Sequence, residues 1–289
     1  MVTKQTAERV ARNAVNRLFP PRCILCDARP DEEGAPLCTN CARKLDDERS
    51  TRSCPLCAAS VAPYEVSNGR CRRCRNRRLR VAGTVRVGRY SVGRADESEA
   101  GTEAGTTVEG ERVPPRRAAV PGGRMLLGGL LRSYKYHGRE EVGLLLGEWL
   151  AEVVAKAPWY EKVEAMVSVP THWTRRVWHP LHAADALARI VAGRTDLSWL
   201  PILKRVRAGP HQIGLSYDER VRNVRDAFAL RRGVRLRDAR LLLIDDVKTT
   251  GATINECAKT LHRAGAAEVY VAVVVTAGWD RAAMVNAEW

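Results

Sequence analysis

Leu241-Leu242-Leu243-Ile244-Asp245-Asp246-Val247-Lys248-Thr249-Thr250-Gly251-Ala252-Thr253 is the stretch from which the fold is read. Four apolar residues run into two carboxylates, a short Thr/Gly turn follows, and a helical pattern opens at Ala252. The apolar run has the length and branching of a strand buried on both faces. Ile254, Cys257, Ala258 and Leu261 then recur at helical spacing up to Gly265, a natural helix stop. Strand, loop and helix in this order put the loop at the carboxyl end of the strand, where open parallel α/β sheets bind their ligands. The loop suits a phosphate. Gly251 lets backbone approach closely, the first helical N–H groups have no internal partner, and Thr249, Thr250 and Thr253 add hydroxyls. Asp245 and Asp246 would repel a bare phosphate, but they can accept hydrogen bonds from sugar hydroxyls beside it. The parts together describe a ribose 5-phosphate cradle. Neither G-x4-G-K-[ST] nor G-x-G-x-x-G occurs, so the common nucleotide-binding alternatives lack their signatures.

The two acidic residues followed by Thr249-Thr250-Gly251 resemble the motif with which type I phosphoribosyltransferases bind 5-phosphoribosyl pyrophosphate (PRPP). The resemblance implies that Asp245 and Asp246 hold the ribose 2- and 3-hydroxyls, and that Lys248, Thr249, Thr250, Gly251, Ala252 and Thr253 wrap the 5-phosphate.

A chain of 289 residues points to two domains. Its formal net charge of +15 predicts attraction to polyanions. The charge is uneven: residues 1–93 hold 19 Lys/Arg against 9 Asp/Glu, so +10 of the total lies there. No apolar run is long enough to span a membrane. The first twenty residues lack the apolar core of a secretory signal, so the expected location is cytoplasmic. Val10, Ala14 and Leu18 predict a basic packing helix there.

Eight of the nine cysteines form four C-x-x-C pairs: Cys23/Cys26, Cys38/Cys41, Cys54/Cys57 and Cys71/Cys74. Each pair can aim two thiolates at one ion. Two pairs complete a tetrahedral four-thiolate site, which favours zinc. Iron–sulfur clusters and redox pairs are the alternatives, but no βαβ pattern surrounds these cysteines. The expectation is two structural Zn2+ ions, with Cys23, Cys26, Cys38 and Cys41 on one and Cys54, Cys57, Cys71 and Cys74 on the other. Spacing alone leaves cross-braced pairing open. Few large apolar residues lie between 20 and 80, so metal must supply much of the folding energy. Arg70, Arg72, Arg73, Arg75, Arg77, Arg78 and Arg80 crowd the last pair with no acid among them. They read either as a phosphate-backbone surface for single-stranded DNA or as a solvated basic loop. Aromatic stacking residues are missing from the run, and Tyr64 is the nearest.

Residues 81–92 alternate as strands, and 94–123 change to Gly, Glu, Thr, Ala and Pro, the composition of a flexible insertion. Helices are expected from Arg124 to about Tyr134 and from Glu140 to Lys156, strands at 163–169 and 200–203, a helix at 183–191 and a last strand at 269–276. Lys135, just before His137-Gly138-Arg139, can reach an anionic ligand. Arg175 and Arg176 follow a strand end and could meet pyrophosphate. Residues 204–230, with Arg205 and Arg220 among many cations, read as a long mobile lid over a pyrophosphate leaving group. His179 and His182 flank Pro180 without a carboxylate partner and are not read as a metal site. Cys257 reads as packing.

With these pieces in place the chain resembles the ComF family of competence-associated proteins. Leu18-Phe19-Pro20, the four C-x-x-C pairs, Tyr134-Lys135-Tyr136-His137-Gly138-Arg139, Val169-Pro170, Gln212…Arg220…Asn223-Val224…Ala227-Phe228 and the acidic-pair motif follow in the family's order. The resemblance implies a type I phosphoribosyltransferase-like parallel sheet flanked by helices, with an N-terminal four-cysteine zinc-ribbon-type module. The expected domains are a double zinc ribbon at 1–80, strands and insertion at 81–123, and the phosphoribosyltransferase-like domain at 124–289. It further implies PRPP or ribose 5-phosphate as ligand, Mg2+ accompanying PRPP, and catalysis by Asp245 and Asp246 with Arg205 and Arg220 on the lid. Single-stranded DNA and the competence machinery are the implied partners. His179-Pro180-Leu181-His182-Ala183 stands where the family usually has Arg-Gly-Phe-Asn-Gln, and Pro180 stiffens a place where Gly is expected. That departure bears on pyrophosphate handling and leaves the 5-phosphate cradle intact. Two functions compete: a PRPP-dependent transferase, and a non-catalytic zinc-ribbon protein that binds single-stranded DNA and uses PRPP only as a ligand.

Overall fold

The computed structural model describes residues 22–32, 34–91, 126–171, 182–207 and 217–278. The expected N-terminal helix, the 94–123 insertion, Arg175 and Arg176, the His179-Pro180 departure and residues 208–216 of the expected lid lie outside them. The chain divides into two compact units, residues 1–47 with 93–126, and residues 48–92 with 127–289.

In the first unit a cysteine-bearing turn leads into α1 (Thr39–Arg49). Asp31 caps that helix by accepting from the Thr39 N–H at 3.1 Å and the Thr39 hydroxyl at 2.5 Å. Leu45 is its buried apolar anchor.

The second unit begins with the antiparallel pair β1 (Val66–Ser67) and β2 (Arg70–Cys71) and the short α2 (Arg72–Arg75). A central sheet follows. It comprises β3 (Gly83–Ser91), then, beyond α3 (Leu126–His137) and α4 (Glu140–Ala155), β4 (Ala165–Ser168), α5 (Ala183–Ala192) and β5 (Ser198–Trp199). A separate antiparallel pair, β6 (Leu203–Arg205) and β7 (Phe228–Leu230), brackets α6 (Tyr217–Val224). The chain returns to the central sheet with β8 (Arg240–Lys248), α7 (Ala252–Arg263) and β9 (Glu268–Gly278). The sheet runs β3-β9-β8-β4-β5 with every neighbour parallel. This is the parallel, helix-flanked sheet expected from the sequence, with β8 at its centre.

Burial on both faces explains why β8 reads as an unbroken apolar run. Leu241 and Leu243 join Ile254, Cys257, Ala258 and Leu261 of α7 in one cluster with Val269, Val271 and Val273. The alternate residues, Leu242 and Ile244, face the other layer, and all four are at most 1% exposed. Each such side chain stabilises the fold by ~2–3 kcal/mol relative to exposure. Cys257 lies wholly inside this cluster, as its packing reading requires.

Three boundaries differ from the sequence reading. In place of the strand expected at 200–203, β5 ends before it at Trp199 in the central sheet and β6 begins at Leu203 outside that sheet. Residues 204–230 are not a continuous loop, because β6, α6 and β7 structure much of the segment. Polar residues hid both features: β6 and α6 are too short and too basic to show periodicity. Finally, β8 continues through both aspartates to Lys248, held by the partners Asp245↔Val273, Val247↔Val275 and Lys248↔Thr276. The ladder to β9 runs on past the end of the ladder to β4 at Ile244, and main-chain pairing does not depend on side-chain polarity, so the carboxylates do not end the strand.

Candidate functional site

The end of β8 carries the residues singled out in the sequence. Consecutive strand residues point to opposite faces, so the two carboxylates diverge. Asp246 meets Lys135 of α3, with Nζ to Oδ2 at 2.5 Å. Asp245 accepts the Asp246 backbone N–H at 2.9 Å. Its carboxyl is held well above the usual carboxylate range, chiefly by burial and then by the charge of Asp246, with Lys135 opposing both. Lys135 thus offsets the charge of the acidic pair.

The turn itself is Thr249 to Gly251. Gly251 has φ +79°, left-handed, and caps α7. The glycine carbonyl accepts the Asn255 N–H at 2.9 Å, while the Thr250 hydroxyl accepts the Ala252 N–H at 3.3 Å. A Cβ on Gly251 would lie 3.2 Å from Lys248 Cε, so the lysine side chain folds back over the turn. Thr249, Thr250, Gly251, Ala252 and Thr253 are all half-buried, reachable from solvent yet backed by the sheet. Backbone N–H groups at the start of α7, hydroxyls and the adjoining Asp246 therefore share one accessible ledge, with Asp245 set deeper on the opposite face of the strand, an arrangement able to hold an anion beside a sugar hydroxyl.

Of the other expected site residues, Arg205 sits on β6, its guanidinium 5.6 Å from the Phe228 ring centroid and its Nε donating to the Arg207 carbonyl at 3.1 Å. Arg220 lies on α6, and its side chain is outside the described residues.

Two groups of four sulfurs form, Cys23/Cys26/Cys38/Cys41 and Cys54/Cys57/Cys71/Cys74, each with all sulfurs within 4.8 Å of one another. The sequential grouping is the one adopted. In the second group the Cys54–Cys74, Cys57–Cys71 and Cys71–Cys74 sulfurs are 3.7, 3.6 and 3.8 Å apart. A tetrahedron with Zn–S bonds of about 2.3 Å has edges of ~3.8 Å. The donor sets therefore fit four-coordinate zinc. Without a cation a cluster of thiols cannot all ionise: Cys57 is pushed up by its bonded neighbour Cys54 and by burial. A divalent ion removes that conflict.

The two centres share a construction not evident from cysteine spacing. Cys23 N–H bonds Ala28 O at 2.8 Å and Asp27 N–H bonds Cys23 O at 2.9 Å, with Asp27 at φ +64°. Cys54 N–H bonds Ala59 O at 2.9 Å and Ala58 N–H bonds Cys54 O at 2.7 Å, with Ala58 at φ +53°. Each knuckle is answered by a cysteine, Cys38 or Cys71, at the start of a helix. Asp and Ala at the matching left-handed positions disguise the repeat, since glycine would have marked it.

All seven arginines between 70 and 80 are exposed. Arg70, Arg75, Arg77, Arg78 and Arg80 line an open cleft of about 510 Å³ beside the second centre. Tyr64, in the same ribbon, is 94% exposed. Among the described residues no helix is long and apolar enough to cross a membrane.

Fold and site together define a class: a double zinc ribbon joined to a type I phosphoribosyltransferase-like sheet. Residues 14–75 match the Double zinc ribbon domain family. The chain is 34% identical over 147 residues to DNA utilization protein YhgH of Salmonella typhimurium, covering 49% of this chain and 63% of that protein. It is 36% identical over 112 residues to Competence protein F of Haemophilus influenzae, covering 37% of this chain and 48% of that one. The matches thus take in less than two thirds of either relative's length. They bear out the resemblance to the ComF family read from the sequence. Among solved structures, glutamine PRPP amidotransferase from B. subtilis aligns at 20% identity over 50% of this chain and 30% of that chain, TM-score 0.34. Adenine phosphoribosyl transferase from Trypanosoma brucei aligns at 15% over 48% and 54%, TM-score 0.33.

Proposed function

We propose that the ledge at the end of β8 binds the ribose 5-phosphate part of PRPP, and that the protein is a phosphoribosyltransferase-like component of DNA uptake or nucleotide metabolism. The observation that carries this reading is the Thr249–Thr250–Gly251 turn, open to solvent, with the start of α7 on one side and Asp245 and Asp246 on the other. The 5-phosphate takes the turn's N–H groups and the hydroxyls of Thr249, Thr250 and Thr253. The ribose hydroxyls go to the acidic pair, and Lys135 exchanges part of its hold on Asp246 for the ligand. Mg2+ bound with PRPP would offset charge on the departing pyrophosphate. Since Asp246 already engages Lys135, the carboxylates fit a role towards the sugar hydroxyls better than direct ligation of that ion. Arg205 and Arg220 are the proposed lid cations. The relatives named for competence and DNA utilization supply the link to DNA.

Calorimetry of the zinc-replete chain with PRPP tests this: Asp245→Ala plus Asp246→Ala should abolish binding, and unchanged affinity would refute it. Pyrophosphate release from PRPP with a panel of nitrogen nucleophiles separates a transferase from a binder. A second reading, a non-catalytic single-stranded-DNA module that uses PRPP as a ligand, draws on the arginine-lined cleft and the exposed Tyr64 of the second ribbon. A backbone-tracking basic groove with an aromatic platform is the usual way to hold single strands.

A further inference from the structure

The second zinc ribbon is built into the phosphoribosyltransferase-like domain through two clasps, one onto β3 and β9 and one onto α7. The Cys54–Cys57 knuckle presents its carbonyls to the sheet. Pro55 O accepts from Thr84 N–H at 2.8 Å, Leu56 O from the Thr84 hydroxyl at 2.7 Å, and Ala58 O from Arg86 Nη1 at 2.9 Å and the Thr276 hydroxyl at 3.1 Å. Past Cys74, the Arg80 N–H donates to Asn255 Oδ1 at 2.9 Å and the Arg80 carbonyl meets His262 Nε2 at 2.9 Å, both on α7. Between these clasps lies Lys248, last residue of β8, paired in register with Thr276 and folded over Gly251.

The clasp contains one enclosed cation, Arg86, and beside it the half-buried Lys248. Arg86 is 7% exposed, and its guanidinium bonds Ala58 O, the Thr276 and Thr51 hydroxyls, Thr51 O and Arg52 O, all neutral. Among the described residues, neither Arg86 nor Lys248 forms an ion pair with a carboxylate. Buried charges need a counter-charge. Arg86 bonds the knuckle carbonyl of Ala58, one residue beyond Cys57, and Lys248 is the register partner of Thr276, whose hydroxyl bonds the same carbonyl. Four thiolates around one divalent cation carry a net double negative charge, which two flanking cations neutralise.

We propose that the metal-loaded Cys54/Cys57/Cys71/Cys74 centre is the counter-ion of Arg86 and Lys248, so that metal at this centre fixes the Lys248 arm of the sugar-phosphate loop and tunes its affinity. The second half rests on the ribose 5-phosphate reading above; the first does not. Linkage makes the effect reciprocal: a ligand that binds the loop better when metal is present must also tighten the metal.

The test uses the full chain loaded with two zinc ions, and separately with two cobalt ions, in competition with a chromogenic chelator. Lys248→Met and Arg86→Met should each weaken one metal equivalent by about 10-fold or more and leave the other unchanged, with Lys248→Arg restoring it. A cooperative thermal transition followed by circular dichroism reports that the second unit is still folded; Lys248→Gln serves if Lys248→Met is not. Ribose 5-phosphate should shift the cobalt–thiolate bands of one centre and slow its release, and Lys248→Met should remove both effects. Release curves of both neutral variants that superimpose on the unsubstituted chain would overturn the counter-ion. Bound ribose 5-phosphate, seen by calorimetry, that leaves the cobalt spectrum and release unmoved would overturn the coupling. Absence of calorimetric binding to the two-metal chain would instead remove the sugar-phosphate reading, and the chelator arm would still decide the counter-ion.

Discussion

Replacing Gly251 by Ala perturbs the cradle by one methyl group, and the structure sets the scale. Gly251 stands at φ +79°, a conformation that costs an L-residue roughly 1–2 kcal/mol. Reduced freedom of the unfolded chain returns ~0.4–1 kcal/mol of that. The added Cβ would lie 3.2 Å from Lys248 Cε, a flexible partner that can give way. The net stability loss should be about 1 kcal/mol, a fall in Tm of ~2–4 °C. Ligand affinity should suffer more. Moving Lys248 and the turn N–H groups removes at least one charge-assisted hydrogen bond, worth ~1.5–3 kcal/mol, so PRPP should bind ~10–100-fold more weakly. Gly265→Ala is the control. Its Cβ would lie 2.1 Å from the Leu236 carbonyl oxygen, a backbone atom already positioned by the bonds Leu236 N–H to Ala264 O and Asp238 N–H to Gly265 O. Relief requires the backbone itself to move, costing ~3 kcal/mol or more. Differential scanning calorimetry and PRPP titration on both variants provide the assay. Gly265→Ala should lose more stability and, at temperatures where it is folded, little affinity. The reasoning fails if Gly251→Ala binds within about two-fold of the unsubstituted chain, or if both variants lose affinity alike.

Asp245→Asn should stabilise the ligand-free protein near neutral pH while weakening PRPP binding. The raised carboxyl of Asp245 means its folded state prefers the proton; its contribution is most favourable below the unfolded value of about 3.9 and is lost as pH rises towards the folded one. The advantage of Asn should therefore shrink as pH falls towards about 4, which urea unfolding across pH would show; a pH-independent difference would refute the assignment. Reversing Arg73, Arg75 and Arg77 to Glu should weaken single-stranded DNA binding and flatten its salt dependence by roughly 0.7 per lost phosphate contact. Fluorescence anisotropy at several salt concentrations measures that slope, and an unaltered slope would eliminate the arginine surface.

The sequence by itself determined the elements whose signal is local. Leu241 to Ile244 could only be a strand buried on both faces, Ile254 to Leu261 could only be its following helix, and eight paired cysteines called for two metal tetrahedra. Composition cannot show which distant groups are enclosed together, and there the tertiary structure decided. It carried β8 past its carboxylates to Lys248, because bonds from β9 and not side-chain polarity keep a central strand going. It set Lys135 against Asp246 across more than a hundred residues. It also seated the second ribbon on β3, β9 and α7 through backbone carbonyls, and every residue type presents the same carbonyl. Sequence letters record side chains; contacts made by the main chain, and the enclosure of Arg86 that follows from them, exist only once the chain has folded.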